Sequence, residues 1–254
     1  MTLIVHGEAF QLTSVNGDRV TKIEIPELRS DQEESDTRVV LYAVYAAKNG
    51  YKSVKIRSPD SDIFFVLLHH ASKINNDILF DTGKGNTRKI INISKLSQEY
   101  GDRQCSALLA LHAYTGCDTT SAFKGIGKVK PIKVLRKKER FEEVFSTLGD
   151  SWEVQESTLK ELESFTCTLY GFPRFNSLND LRLHLLKKKC VENNVIDPNK
   201  TVDLASLPPC YDTLTEHVKR TNFQVIHKIG MVKCLNFTFS ILGKGVEGSC
   251  RKLP

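Results

Sequence analysis

Residues 53–68 read SVKIRSPDSDIFFVLL, and this stretch decides the fold. Its first five residues, Ser53 to Arg57, alternate polar and apolar, the period of a half-buried strand. Ser58-Pro59 ends that strand, because proline has no N–H to give a ladder. Asp60-Ser61-Asp62 makes a polar corner, and the six residues from Ile63 to Leu68 are all apolar, as expected of a helix or strand buried in an α/β core. Strands come first along this chain and helices last, which predicts an α/β domain with a helical C-terminal extension.

Upstream, residues 3–5 and 20–25 are rich in apolar positions on either side of Asn16-Gly17-Asp18, and Asn-Gly predicts a hairpin there. Pro26 ends the second of these strands. Ser30 stands three residues before Glu33, a capping-box pattern, so a helix is expected over 31–48 with Val39, Val40, Ala43, Val44 and Ala47 as its apolar stripe. Asn49-Gly50 stops it.

Downstream, residues 78–80 and 88–93 read as a second hairpin around Asp81-Thr82-Gly83-Lys84-Gly85-Asn86. Ser94 is expected to cap a helix over 95–100 that Gly101 closes, and 105–114 forms another. Beyond Gly127 the chain reads as helical and basic to about 148, then as helices near 154–170, 177–193 and 212–220. Pro173, Asn193-Asn194, Pro198 and Pro208-Pro209 punctuate them. The expected organisation is a core over 1–123, a basic segment over 124–150, a helical extension over 151–223 and an irregular tail over 224–254.

Composition narrows the function. The chain has 254 residues, is 40% hydrophobic and 26% charged, and carries a net charge of +6, which suits a folded domain with a polyanionic partner. No apolar run reaches the roughly 20 residues of a membrane helix, so no membrane partner is expected. The N-terminus MTLIVHGEAF lacks the basic and apolar regions of a secretory signal. Seven cysteines, none in a CxxC pair, argue against a zinc site or a disulfide framework and for a reducing intracellular compartment. Residues 124–140 hold eight lysines and arginines against one acid, Glu139.

Three acidic clusters punctuate the chain: Glu33-Glu34-Ser35-Asp36, Asp60-Ser61-Asp62 and Asp118 within TGCDTTSAFKGIGK (115–128). Taken singly, each has a plainer reading. Asp-Ser-Asp after proline suits a solvated turn or helix cap, acids at a helix start meet the macrodipole, and Asp118 suits an Asx turn. Taken together, they offer the hard oxygen ligands that Mg²⁺ prefers. Asp60 and Asp62 also fall just past a strand end, where open α/β sheets bind ligands.

The order of these pieces resembles the central and C-terminal part of the flap-endonuclease-like 5′ nucleases, a PIN-like fold. The matching residues are the acidic pair Glu34-Ser35-Asp36, the Asp60-Ser61-Asp62 pair after the next strand, the Gly116-Cys117-Asp118 turn, and Gly125-Ile126-Gly127 seven residues after Asp118. The resemblance covers roughly 30–140, and the EESDT, RSPDSD and TGCDTTSAF strings look like a divergent, transposon-associated animal branch. It implies a PIN-like Rossmannoid sheet followed by a helix-hairpin-helix element. It implies hydrolysis of DNA phosphodiesters with Glu34, Asp36, Asp60, Asp62 and Asp118 holding Mg²⁺ or Mn²⁺, two ions where the set is complete. Gly125 and Gly127 would admit a duplex phosphate to the backbone, with Lys128, Lys130 and Lys133 adding sequence-independent contacts. Duplex or branched DNA is the expected partner, RNA the second, and the nucleus the expected location. The family places further acidic ligands ahead of the first pair, whereas only 33 residues precede Glu34 here, so the chain reads as a partial copy with an incomplete site. The alternative is a non-catalytic nucleic-acid-binding or protein-interaction module derived from such a nuclease.

Other motifs have plainer readings. Asp81-Thr82-Gly83 mimics the active turn of retroviral-type aspartic proteases, but Lys84-Gly85-Asn86 after it suits a hairpin tip. Gly83-Lys84-Gly85 lacks the spacing of a phosphate-binding P-loop. His69-His70 suit a helix C-terminus, His112 and Cys117 read as packing residues, and 187–189 (three lysines) reads as a solvated helix face. Trp152 and the scattered Tyr and Phe show no stacking-platform spacing.

Overall fold

The computed structural model describes residues 2–5, 8–15, 19–28, 35–117, 120–192, 195–196 and 201–241. The chain divides into two units, Met1–Gln98 with Lys228–Pro254, and Glu99–His227.

The first unit opens with an antiparallel meander of β1 (Thr2–Val5), β2 (Glu8–Val15) and β3 (Arg19–Glu24). The expected hairpin is present as β2–β3, closed at Val15 opposite Arg19 around Asn16-Gly17-Asp18, which lie outside the described residues. The expectation paired 3–5 with 20–25 directly, whereas β1 pairs with the intervening β2. Helix α1 (Ser35–Lys48) ends as Asn49-Gly50 requires, with Gly50 at φ 79°. There the Asn49 N–H and its Nδ2 both donate to the Tyr45 carbonyl, at 3.0 and 2.9 Å. The Ser30–Glu33 capping box lies outside the described residues.

The step read from residues 53–68 follows. Strand β4 (Ser53–Arg57) leads into α2 (Ser61–His70), and β5 (Asp77–Thr82) returns parallel to β4, Ser53 opposite Asp77 and Arg57 opposite Asp81. The apolar run is therefore a helix; its Val66, Leu67 and Leu68 are buried, as are Val40 and Ala43 of α1 and Ile78 and Phe80 of β5. Strand β6 (Lys89–Asn92) completes a mixed three-stranded sheet in the order β4-β5-β6, antiparallel to β5 as the hairpin reading required. The coarse class is thus α/β and mostly helical, with a small mixed sheet.

Helix α3 (Ile93–Tyr114) contains the break expected at Gly101, where φ is 74° and ψ 165°. The cap lies two residues before the expected Ser94. Asn92 Oδ1 accepts from the Lys95 N–H at 2.9 Å, while Ser94 Oγ accepts from Ile78 N–H and donates to the Asn76 carbonyl, fastening the start of β5.

The second unit is helical: the later part of α3, then α4 (Val129–Leu135), α5 (Glu139–Thr147), α6 (Glu156–Leu169), α7 (Leu178–Cys190) and the start of α8 (Tyr211–Ile241). Its core is aromatic. The Tyr114 ring meets Phe145 and Phe165 edge to face at 5.3 and 5.9 Å, and Phe145 meets Phe165 at 4.8 Å. The buried Tyr114 hydroxyl donates to Thr166 Oγ1 at 2.5 Å, since Thr166 itself donates to the Leu162 carbonyl. Burial pushes the neighbouring Cys167 thiol up to about 12, a packing residue and not a nucleophile.

Helix α8 corrects the expected irregular tail, since 224–241 is helical. The reason is physical: Gln224 and Lys228 are polar yet 5% and 2% exposed, while Phe223 is 49% exposed. Polarity does not mark the solvent face there, so no amphipathic stripe can be read.

Candidate metal centre and basic loop

The carboxylate centre begins where β4 ends. Asp60 is the N-cap of α2, and its Oδ1 accepts from the Asp62 N–H at 2.8 Å. Asp60 N–H in turn donates to Ser58 Oγ at 3.0 Å, so the Ser-Pro-Asp corner is tied on both sides. The cap rotates α2 so that Asp60 is exposed and Asp62, in the first turn, is only 7% exposed. Lys228 Nζ, itself in a residue 2% exposed, donates to Asp62 Oδ2 at 2.5 Å. His70 Nε2 lies 3.4 Å from the Lys228 carbonyl, which adds a second tie between α2 and α8.

One residue along the neighbouring strand stands a second buried carboxylate. Asp81, 2% exposed, accepts two parallel bonds from Arg88, Nε to Oδ1 at 2.9 Å and Nη2 to Oδ2 at 2.6 Å. Arg57 adds a longer contact at 4.0 Å. The hydrogen bond from Arg88 holds the Asp81 carboxyl below the usual carboxylate range, with the charges of Arg88, Arg57 and Lys55 acting the same way against burial. Asp81 is therefore the fixed anchor of the β5–β6 hairpin, in line with the hairpin-tip reading and not the protease one.

Of the other expected ligands, Asp36 sits half-buried in the first turn of α1 in the same unit. Glu34 and Asp118 lie outside the described residues. The turn that carries Asp118 is described on both sides. Gly116 takes φ 102°, and a Cβ there would meet the Ala122 backbone at 2.9 Å, so only glycine permits the chain to return so closely. Thr120 Oγ1 accepts from Cys117 N–H at 2.8 Å and donates to the Ala113 carbonyl at 2.7 Å. Buried His112 and half-buried Cys117 bring ring nitrogen and sulfur within 4.8 Å of each other, a proximity that packing alone was expected to explain.

The glycine loop differs from its expectation in two respects. Residues 120–124 form no helix, and the next helix after the glycines is α4 (Val129–Leu135). Gly125 uses the left-handed backbone at φ 76°, whereas Gly127 does not. Lys128 is not a free phosphate contact: its Nζ donates to the His112 and Gly116 carbonyls at 2.8 and 2.6 Å, capping the end of α3. Other cations of the basic run are also engaged, Lys124 with Asp203 at 2.6 Å, Arg136 with Tyr100 Oη at 2.9 Å and Arg140 with Ser164 Oγ at 3.0 Å. Lys130 and Lys133 are exposed and make no hydrogen bond or ion pair among the described residues, and Lys137 is like them.

Comparison of the chain with protein-family models, with curated proteins and with solved structures gives no match. Among the described residues, no helix is long and apolar enough to cross a membrane.

Sequence reading missed Lys228, which lies 166 residues from Asp62 in a stretch taken as an irregular tail. A lone lysine in an apolar run was the signal available, because such a charge is rarely buried without a partner. It missed Arg88 as well, for which the buried Asp81 on a strand was the cue.

Proposed function

We propose that the chain is a metal-dependent phosphodiester hydrolase of the PIN-like 5′ nuclease type, acting on DNA inside the cell, with the nucleus as its setting. The observation that carries this reading is the buried Asp62 carboxylate at the C-terminal edge of a parallel strand pair, already balanced by one positive charge. Such an edge is where α/β sheets receive ligands, and a carboxylate set there suits an oxygen-seeking divalent ion. The donors fit in kind. Asp62 Oδ1 and Oδ2 and the second oxygen of Asp60 are hard ligands, and Asp36 in the same unit is of the same kind. Bound Mg²⁺ or Mn²⁺ would polarise the phosphodiester and lower the pKa of an attacking water. Asp60 orients the corner through its cap, and Lys228 is the counter-ion of Asp62, a place that a bound divalent ion would take. Lys130 and Lys133 supply the salt-sensitive grip on the phosphate backbone.

A second reading, a non-catalytic nucleic-acid-binding or protein-interaction descendant, is favoured by one specific feature. The Lys228 ammonium satisfies Asp62 from within the chain, so the carboxylate is stable with no metal at all.

Incubation of the purified chain with branched and duplex DNA in Mn²⁺ tests both. The first reading expects cleavage that chelation stops and that Asp60→Asn with Asp62→Asn abolishes. The second expects binding without cleavage, unchanged by the same pair. Both expect Lys130→Ala with Lys133→Ala to lower the slope of log K against log salt by about 2. An unchanged slope removes the nucleic-acid partner from either reading.

A further inference from the structure

The helical unit holds a cleft of about 260 Å³ that neither the carboxylates nor the basic loop explains. It is lined by residues before Gly125, by Tyr170 beyond α6, by Arg182 of α7, by the 204–209 segment and by the first turns of α8. Its walls are apolar and aromatic, with Phe123, Tyr170, Leu204 and Leu207, and Phe123 lies edge to face with His217 at 5.3 Å. Its charge is entirely positive: Lys124, Arg182 and Arg220 line it, and no aspartate or glutamate does.

The two arginines are available for an anion. Arg182 uses one N–H, Nη1, on the Pro208 carbonyl at 2.5 Å and has no carboxylate partner among the described residues. Arg220 is exposed and makes no hydrogen bond or ion pair among them. Lys124 is held at the rim by Asp203. A guanidinium presents a planar fork that matches phosphate geometry.

His217 adds discrimination. Its Nε2 meets the Tyr114 carbonyl at 2.8 Å, and a carbonyl only accepts, so Nε2 carries the proton and Nδ1 is the accepting nitrogen. Ser121 and Thr213 bring hydroxyls to the same wall. An aromatic corner in which Phe123 and Tyr170 meet edge to face at 6.5 Å, a hydrogen-bond acceptor beside hydroxyls, and two forks without carboxylate partners among the described residues together describe a heteroaromatic ring carrying a phosphate. The volume suits one such unit and not two.

We infer that this cleft binds a nucleoside monophosphate, either free or as the phosphorylated end of a nucleic-acid strand. The ring lies against Phe123 and Tyr170, and the phosphate meets Arg182 and Arg220. The inference does not depend on phosphodiester hydrolysis.

Calorimetric titration of the full chain with adenosine monophosphate, adenosine, inorganic phosphate and a 5′-phosphorylated trinucleotide tests it. Saturable binding of the monophosphate is expected, with adenosine and phosphate each weaker by at least about 10-fold, since each lacks half of the recognition. A strand-end site gives the trinucleotide the tighter binding, and a free-nucleotide site gives it to the monophosphate. Arg220→Ala, on an exposed side chain that the fold does not need, is expected to weaken binding about 10-fold or more. Tyr170→Leu should weaken the monophosphate and leave inorganic phosphate unchanged. Absence of saturation by both the monophosphate and the trinucleotide up to millimolar concentration overturns the inference, as does equal binding by Arg220→Ala.

Discussion

Asp62 and Asp81 stand at the same end of two parallel strands, are both buried, and are neutralised differently. Asp81 takes both oxygens into a guanidinium fork supplied seven residues away across its own hairpin. Asp62 accepts from an ammonium supplied 166 residues away. The fork has fixed directions, is delocalised and is always charged, so it fixes its carboxylate for good. The ammonium is a compact point charge, the kind of charge that a small cation can replace. One carboxylate is built as a fastener and the other as a cation seat, although both arise from an aspartate beside a strand end.

The largest expected effect follows from removing the seat's occupant. Lys228→Met takes the ammonium away from the buried Asp62 carboxylate, and urea unfolding should show a loss of about 3–5 kcal/mol. Asp62→Asn added to Lys228→Met should recover most of it, because no buried charge then remains. Failure of the double change to recover stability would mean that the lysine acts through packing, and the contrast between the two aspartates would collapse.

Next in size is the exchange of pairing types. Lys228→Arg should turn the Asp62 pair toward the Asp81 kind, holding the fold and abolishing any rise of melting temperature with Mn²⁺. The reciprocal Arg88→Lys should lower the melting temperature, less than Lys228→Met does, because a lysine cannot make the parallel pair of bonds.

The smallest effect is read in acid. The folded pKa of Asp81 is depressed below its ordinary value, chiefly by the Arg88 bond. Its contribution to stability is therefore complete above about pH 4 and is lost as pH falls through the lower folded value. Arg88→Ala should flatten that part of the stability profile between pH 5 and 2, measured by urea midpoints. His217 has the same sign at higher pH. Burial depresses its pKa, so protonation favours the unfolded chain, and stability should fall as pH drops below about 6.5. His217→Gln should remove that slope.

Local patterns carried most of the α/β half. The alternation of Ser53 to Arg57, the Ser58-Pro59 stop, the cap at Asp60, the Asn49-Gly50 end of α1 and the Gly101 break all act within a few residues of themselves, and each is where the residues imply. What could not be read is long-range. Lys228 has no local feature that points to Asp62, and the buried Gln224 and Lys228 conceal the helix that delivers it. Lys128 looked like its neighbours Lys130 and Lys133, yet the end of α3 claims it for the His112 and Gly116 carbonyls. Helix ends, not sequence spacing, decide which lysines remain for a phosphate. Asp60 and Asp62 were legible as a site because a strand end and a helix start coincide there; the partner that balances Asp62 was not.

The most direct measurement is a calorimetric titration with Mn²⁺ of the native chain, Lys228→Met, and Asp60→Asn with Asp62→Asn. If Asp62 is a cation seat that Lys228 fills, the lysine variant binds Mn²⁺ at least about 10-fold more tightly than the native chain, and the asparagine pair does not bind. Equal or weaker binding by Lys228→Met would contradict the account and leave the Asp62–Lys228 pair as a second fastener like Asp81 and Arg88.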